Sequence, residues 1–492
     1  MDRPVSVSGP GGRPPGLAAR RWRAGHPAAL VAAFALLSLA LLVQVMWVNL
    51  RQGRQDWQVY QRRYFAQEGI QRPPQVVNLT LPDGRVERCQ TCHLGIEEIS
   101  PSHPVEVFGC TSCHGGNGLS LDKTEAHQGL RGGGNPADLR VAQQSCGTGP
   151  NGVACHSGRE HPELNMVARL PESPMASKAG EINQVRVAFG LQKDAERPSF
   201  PVIGSPADLP SPLDGHPQEE NFKKNCLSSC HLWGGAYGDQ GRNYSGGCAA
   251  CHYPYNRTRT YEGKDVTIPK DQPGHGAIHR LTAGIPYTQC NACHNQGIHS
   301  LASMTFEKRT DLPAPPVAPT SHGAAWAARV REYYIPGEVY ARCEVSLDCI
   351  DCHSRHDTMG DPRRDGQPAG NKYQAQSVRC SDCHGTTKAP PQSTVLGDPK
   401  DPSFLDPRWS QPGFPQLRVG DRIGLTGAGE LLPFLRFEGD RVIQYSKVTG
   451  KPLPVPLAYG SACRQNPAEQ SADACHRCHD VSATVHTQPP AN

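Results

Sequence analysis

The sequence predicts short α-helices and loops wrapped around stacked prosthetic groups, with one N-terminal transmembrane helix and a small β-rich segment near the C-terminus. Three observations predict it. The 492-residue chain carries 20 Cys and 21 His, most of them in one repeated motif. It holds 51 Gly and 46 Pro, while 37% of residues are hydrophobic and 6% aromatic, too few for an ordinary aliphatic core. Residues 28–48, AALVAAFALLSLALLVQVMWV, form a single apolar run.

Taken in order, residues 1–27 form a tail in which Arg20, Arg21 and Arg23 precede the apolar run. That charge placement predicts a cytoplasmic N-terminus and an exported C-terminal bulk. The anchor, residues 28–50, includes a run that extends about 31 Å at 1.5 Å per residue, enough for a bilayer core. A cleaved signal peptide is the rival reading. The run is longer than a signal core of about 7–15 residues, and Ala33-Phe34-Ala35 lies too early for cleavage.

Residues 51–74 read as a stalk helix, with Trp57, Tyr60 and Tyr64 at helical spacing and Pro73-Pro74 ending it. The same stripe is open to packing on the following domain, to the bilayer interface or to a membrane partner. Residues 75–165 hold three cofactor motifs, 166–222 form a Pro-rich linker without Cys, and 223–394 hold five motifs. Residues 395–460 lack Cys and His. Their runs Leu435–Phe437 and Val442–Tyr445, broken by Gly-Asp and Thr-Gly turns, predict strands. Residues 461–492 carry the last motif.

Seven pairs read Cys-x-x-Cys-His: Cys89/Cys92/His93, Cys110/Cys113/His114, Cys248/Cys251/His252, Cys290/Cys293/His294, Cys349/Cys352/His353, Cys380/Cys383/His384 and Cys475/Cys478/His479. Two thiols at this spacing can each form a thioether with one haem vinyl group, which sets the following His under the iron. Zinc sites or a disulfide framework would leave the trailing His unexplained. The cofactor implied is haem c.

Two further motifs vary the spacing. Cys226/Cys230/His231 has three intervening residues, and Cys146/Cys155/His156 has eight, GTGPNGVA. That Gly-, Pro- and Asn-containing insert is able to loop out and let both sulfurs approach one porphyrin; a disulfide beside a coincidental His is the bland alternative. Cys343 and Cys463 remain. A disulfide between them is open, as is a grouping of Cys463 with Cys475-His476.

Nine irons need at most nine second axial ligands. Beyond the nine motif histidines, the exported side offers His103, His127, His161, His216, His275, His279, His299, His322, His356, His476 and His486. Bis-His iron has no open position and can only exchange electrons, so this supply argues against a catalytic haem. No catalytic residue is assigned. The 50 basic and 46 acidic residues give +4, without the clustered basic stripe of a nucleic-acid binder. Nine haems would shift this to roughly −5 oxidised and −14 reduced, favouring basic partner surfaces.

The stretches RCQTCHLG (88–95) and SHPVEVFGCTSCHGGNG (102–118), with Ala126-His127 after them, resemble bacterial membrane-anchored periplasmic multihaem cytochromes c. The resemblance is specific over about residues 50–160 and generic elsewhere. It implies a single-pass inner-membrane protein whose haem domain lies in the periplasm. Such a protein would carry electrons between membrane quinol-oxidising or cytochrome subunits and soluble periplasmic redox proteins. The alternative is a multihaem oxidoreductase with one five-coordinate haem acting on small nitrogen or sulfur compounds.

Overall fold

The computed structural model describes residues 27–52, 56–149, 152–158, 161, 164–173, 175–176, 232, 246–256, 258–286, 289–290, 306–308, 334–336, 347–360 and 377–464. The chain divides into two units, residues 1–55 and 56–492.

In the first unit, α1 (Pro27–Gln52) is one unbroken helix. Its Ala- and Leu-rich stretch favours helix and contains no interior Gly or Pro to break it. Residues Ala28–Val48 are long and apolar enough to cross a membrane, and Leu30, Phe34, Leu41 and Trp47 are all exposed. Backbone polar groups satisfied within the helix are what a bilayer demands.

The second unit begins with α2 (Asp56–Glu68), whose first turn carries Asp56 where the helix dipole favours a negative charge. Its buried face is Trp57, Gln61 and Phe65, spaced by four, while Tyr60 and Tyr64 are half-buried beside it. Gln61 is fully buried. Its Nε2 donates to the carbonyls of Gln75 (2.7 Å) and Thr91 (2.8 Å), and its Oε1 accepts from the Gln75 amide at 2.9 Å. These bonds pin α2 to the loop that bears the first Cys motif.

After α2 the described helices last one turn or little more, and the cysteine motifs fall on them. Two short antiparallel pairs, β1 (Leu79–Thr80) with β2 (Val86–Glu87) and β3 (Phe306–Lys308) with β4 (Tyr334–Pro336), lie between them.

The expected C-terminal β segment is a five-stranded antiparallel meander: β5 (Ser393–Val395), β6 (Arg422–Leu425), β7 (Leu431–Glu438), β8 (Arg441–Tyr445) and β9 (Pro452–Val455). The runs read from the sequence fall in β7 and β8. Gly439, at φ +63°, opens the two-residue turn between Glu438 and Arg441, as such hairpins require.

Ile423 and Phe434 bury one cluster with Leu396, Trp409 and Leu417; Leu432, Leu435 and Val442 bury another with Val378. Trp409 stacks on Phe434 with ring centres 4.4 Å apart, and the Arg408 guanidinium sits 4.5 Å from the same ring. The edge strand β9 carries Pro452 and Pro454, which pair with Tyr445 and Ile443.

Candidate functional site

Each described Cys-x-x-Cys-His motif that can be followed folds as one tight turn. The amide of the trailing His donates to the carbonyl of the first Cys: His93 to Cys89 (3.0 Å), His114 to Cys110 (2.9 Å), His252 to Cys248 (3.0 Å) and His353 to Cys349 (2.7 Å). One helical turn therefore gathers both sulfurs and the imidazole.

The second cysteines of these turns differ in their surroundings. The amides of Cys92 and Cys251 donate back to the carbonyls of Cys89 (3.1 Å) and Cys248 (3.2 Å), which tightens the turn before the histidine. Cys251 and Cys352 are half-buried, the latter closing the helix Cys349–Cys352. Cys383, on the helix Cys380–His384, packs against the sheet cluster of Val378, Leu432, Leu435 and Val442, as a thiol does where a hydrophobic face is at hand.

The long-spaced motif closes in the same way as the ordinary ones. Within its insert Thr148 bridges Ala154, the Gly149 amide donates to the Val153 carbonyl (2.7 Å), and the Cys155 amide donates to Gly147 (2.9 Å). The insert is thus a small hairpin, and His156 donates to the Cys146 carbonyl at 3.0 Å across it. The distance matches the ordinary turns.

Carboxylates cap several of these turns. Buried Glu87 accepts the amides of Cys110 (2.6 Å) and Thr111 (3.2 Å) and the Thr111 hydroxyl. In CIDCH and CSDCH, the buried Asp351 and Asp382 take the amides of Asp348 and Arg379, each at 2.9 Å, through one oxygen. Their other oxygens take the amides of Lys447 (2.7 Å) and Gly427 (3.2 Å) from loops that join the strands of the sheet. Burial raises the pKa of both aspartates.

First cysteines of different motifs meet. The Cys89 and Cys110 sulfurs and a Glu87 oxygen lie within 4.8 Å of one another. Cys146 touches Cys248, and that contact brings the Cys146 pKa down to about 7. Cys290 touches Cys349 and lowers its pKa in the same way. Burial pushes Cys92 and Cys113 up to about 11.

Three motif histidines face three of the sequence-predicted second ligands. Ring centres are 6.1 Å apart for His93 and His127, 6.1 Å for His114 and His279, and 6.0 Å for His156 and His103. A first-row metal held by two opposed imidazole nitrogens at about 2.0–2.1 Å sets the ring centres roughly 6 Å apart. The three ring-centre separations match that span.

The other ring nitrogens are anchored. His93 Nδ1 lies 2.8 Å from buried Asp265 Oδ2, His103 Nδ1 lies 2.7 Å from Ser100 Oγ, and His279 Nδ1 lies 3.1 Å from the Glu97 carbonyl. Each anchor leaves Nε2 free for a metal, as in metal-ligating histidines generally. Burial lowers the pKa of His103, His127, His156 and His279, and brings His114 to about 4, which keeps the ligating neutral form. His93 moves the other way. Its burial disfavours the charged ring, but the bond to Asp265 outweighs this and raises its pKa.

Elsewhere, His252 Nδ1 lies 2.8 Å from the Thr282 carbonyl and His384 Nδ1 lies 2.6 Å from the Pro456 carbonyl. His353 Nδ1 is 3.4 Å from Asp357 Oδ2. Among the remaining second-ligand candidates, His356 Nδ1 is 3.2 Å from Glu430, and the His275 ring is 6.2 Å from that of Tyr261. The His161 carbonyl accepts the Leu164 amide at 2.7 Å.

Cys226, Cys230, His231, Cys293, His294, Cys475, Cys478 and His479 lie outside the described residues, as do His216, His299, His322, His476, His486 and Cys343. Cys463 is a free thiol. Sequence reasoning missed Glu87, Asp265, Asp351 and Asp382. The aspartates inside CIDCH and CSDCH were visible as a shared position, whereas nothing near Asp265 marks it. Comparisons with protein-family models, with curated proteins and with solved structures find no match to this chain.

Proposed function

We propose that the chain is a membrane-anchored electron-transfer protein. It carries about nine covalently attached c-type haems and passes electrons between a quinol-oxidising membrane partner and periplasmic acceptors. The observation that carries this reading is the set of three histidine pairs at 6.0–6.1 Å, each built on a Cys-Cys-His turn. Haem c supplies a one-electron couple when bound. The chain's own residues would hold it by two sulfurs and two imidazoles and would fix the imidazole tautomers through Nδ1. In this reading Cys251, Cys352 and Cys383 are the second attachment sulfurs of their motifs. Paired imidazoles leave no position for a substrate, which favours a carrier over an oxidoreductase. The contacts Cys89–Cys110, Cys146–Cys248 and Cys290–Cys349 set motifs side by side, which suits electron hopping. The helix α1 holds the unit at the inner membrane with residues 56–492 in the periplasm.

The test is a pyridine-haemochrome count with low-temperature EPR of the air-oxidised, detergent-solubilised holoprotein. Nine low-spin haems are expected. A stoichiometric high-spin signal overturns the carrier reading, and absence of covalent haem overturns the reading altogether.

A further inference from the structure

Resting on the reading of Cys89, Cys92 and His93 as a haem-holding motif, we infer that Asp265 is a positioning residue that lowers the reduction potential at His93. The observation is a difference between histidines playing the same part. His252 and His384 give Nδ1–H to backbone carbonyls, Thr282 (2.8 Å) and Pro456 (2.6 Å), and His353 Nδ1 stands 3.4 Å from Asp357 Oδ2. His93 gives it to a carboxylate at 2.8 Å, on a side chain with no solvent exposure.

Asp265 is built for the task. Its Oδ1 accepts both the amide (2.8 Å) and the hydroxyl (2.7 Å) of Thr267, which leaves Oδ2 aimed at His93. The Thr267 hydroxyl itself lies 2.9 Å from His93 Nδ1. The Asp265 amide donates to the Tyr261 hydroxyl at 3.1 Å, and that hydroxyl donates to Glu97 at 2.8 Å. Glu97 in turn accepts the amide of His279 at 3.2 Å, so a fixed hydrogen-bonded series joins two of the histidine pairs.

A buried charge is far more effective than a carbonyl dipole, because little solvent screens it. A carboxylate accepting Nδ1–H makes the imidazole a stronger donor at Nε2. Stronger donation favours ferric over ferrous iron, so the one-electron reduction, with ligands unchanged and no proton moved, becomes less favourable.

The experiment uses the full-length, detergent-solubilised holoprotein carrying Asp265→Asn, compared with wild type by mediated spectroelectrochemical titration, haem count and EPR. The amide keeps an acceptor oxygen and removes the charge. One haem component is expected to shift so that its reduced-to-oxidised ratio at fixed potential rises about tenfold, equivalent to 59 mV for a one-electron couple. The haem count should stay the same, which a purely structural defect would not allow. No moving component at full haem count overturns the inference. If Asp265→Asn loses haem, Thr267→Val decides instead: it loosens the carboxylate without removing it. A smaller shift of the same sign supports the role, and none overturns it. A wild-type peptide spanning residues 89–93 that carries no covalent haem overturns the underlying motif reading, a separate failure visible by mass spectrometry.

Discussion

Asp351 Oδ1 accepts the backbone amide of Lys447 at 2.7 Å, tying the Cys349 turn to the loop between β8 and β9. Asp382 repeats the device with the Gly427 amide on the loop between β6 and β7. Each aspartate caps its own motif turn with one oxygen and grips the sheet with the other. The five-stranded meander thus serves as a backing plate for two consecutive cysteine–histidine turns. Lys447 reinforces the first of them through Nζ, which donates to the Ile350 carbonyl at 2.7 Å.

Removing either aspartate should therefore cost two amide partners at once. Asp351→Ala and Asp382→Ala are each expected to destabilise the C-terminal region by about 1–3 kcal/mol, as losing a cap and a buried acceptor does. Thermal unfolding followed by near-UV signals would measure it. Asp351→Asn and Asp382→Asn, which keep one acceptor oxygen, should lose less.

The ring pairs give a sharper test of the electron-transfer reading. His127→Ala, His279→Ala and His103→Ala should each leave the haem count intact and convert one low-spin haem to high-spin. EPR integration reads the conversion directly. A variant whose spectrum stays entirely low-spin removes that pair from the assignment.

At the long-spaced motif, Cys146→Ala is expected to disturb covalent attachment at that site alone. Replacing residues 147–154 by two residues, which restores the ordinary spacing, should retain haem, because His156 already meets the Cys146 carbonyl at 3.0 Å with the hairpin in place. Intact-mass measurement distinguishes the two results. Loss of haem in the shortened variant would show that the hairpin itself is needed for attachment.

Phe434→Ala should strike the sheet rather than the motifs. It removes the ring stacked on Trp409 and the face beneath Arg408, at a cost of about 3–5 kcal/mol for a buried aromatic. Proteolysis should accelerate between residues 393 and 455 while the signals from His93 and His114 stay unchanged.

How much of this was legible in the sequence follows from how local each feature is. The apolar run of α1 and the strands around Leu435 and Val442 announce themselves within a few residues. The aromatic stripe on α2 shares Trp57 with the buried line of the helix. Its buried line runs through Gln61 because the chain offers two carbonyls there, Gln75 and Thr91, and a polar side chain in contact with them is fully satisfied. The motif spacing marks Cys251, Cys352 and Cys383 alike, but it carries no sign that Cys383 meets the sheet while the other two do not share its cluster. The pairing of His114 with His279, and of His93 with Asp265 across 172 positions, left no local trace. Such contacts are decided by which loops fold back together, and composition does not encode that. The hairpin within the Cys146–Cys155 insert lies between these extremes: its glycines permit a turn, but only the folded backbone shows that Thr148 meets Ala154.

The prolines of β9 have a consequence for the protein's behaviour in a crowded compartment. Pro452 and Pro454 in β9 and Pro456 just beyond it fall at alternate positions, so this edge of the sheet has no amide donor at any of the three. A strand from another molecule would find no donor at these three positions, which weakens pairing along this edge. The rim's Pro456 carbonyl is taken instead by His384. The edge that withholds donors from foreign strands thus also anchors the ring of His384.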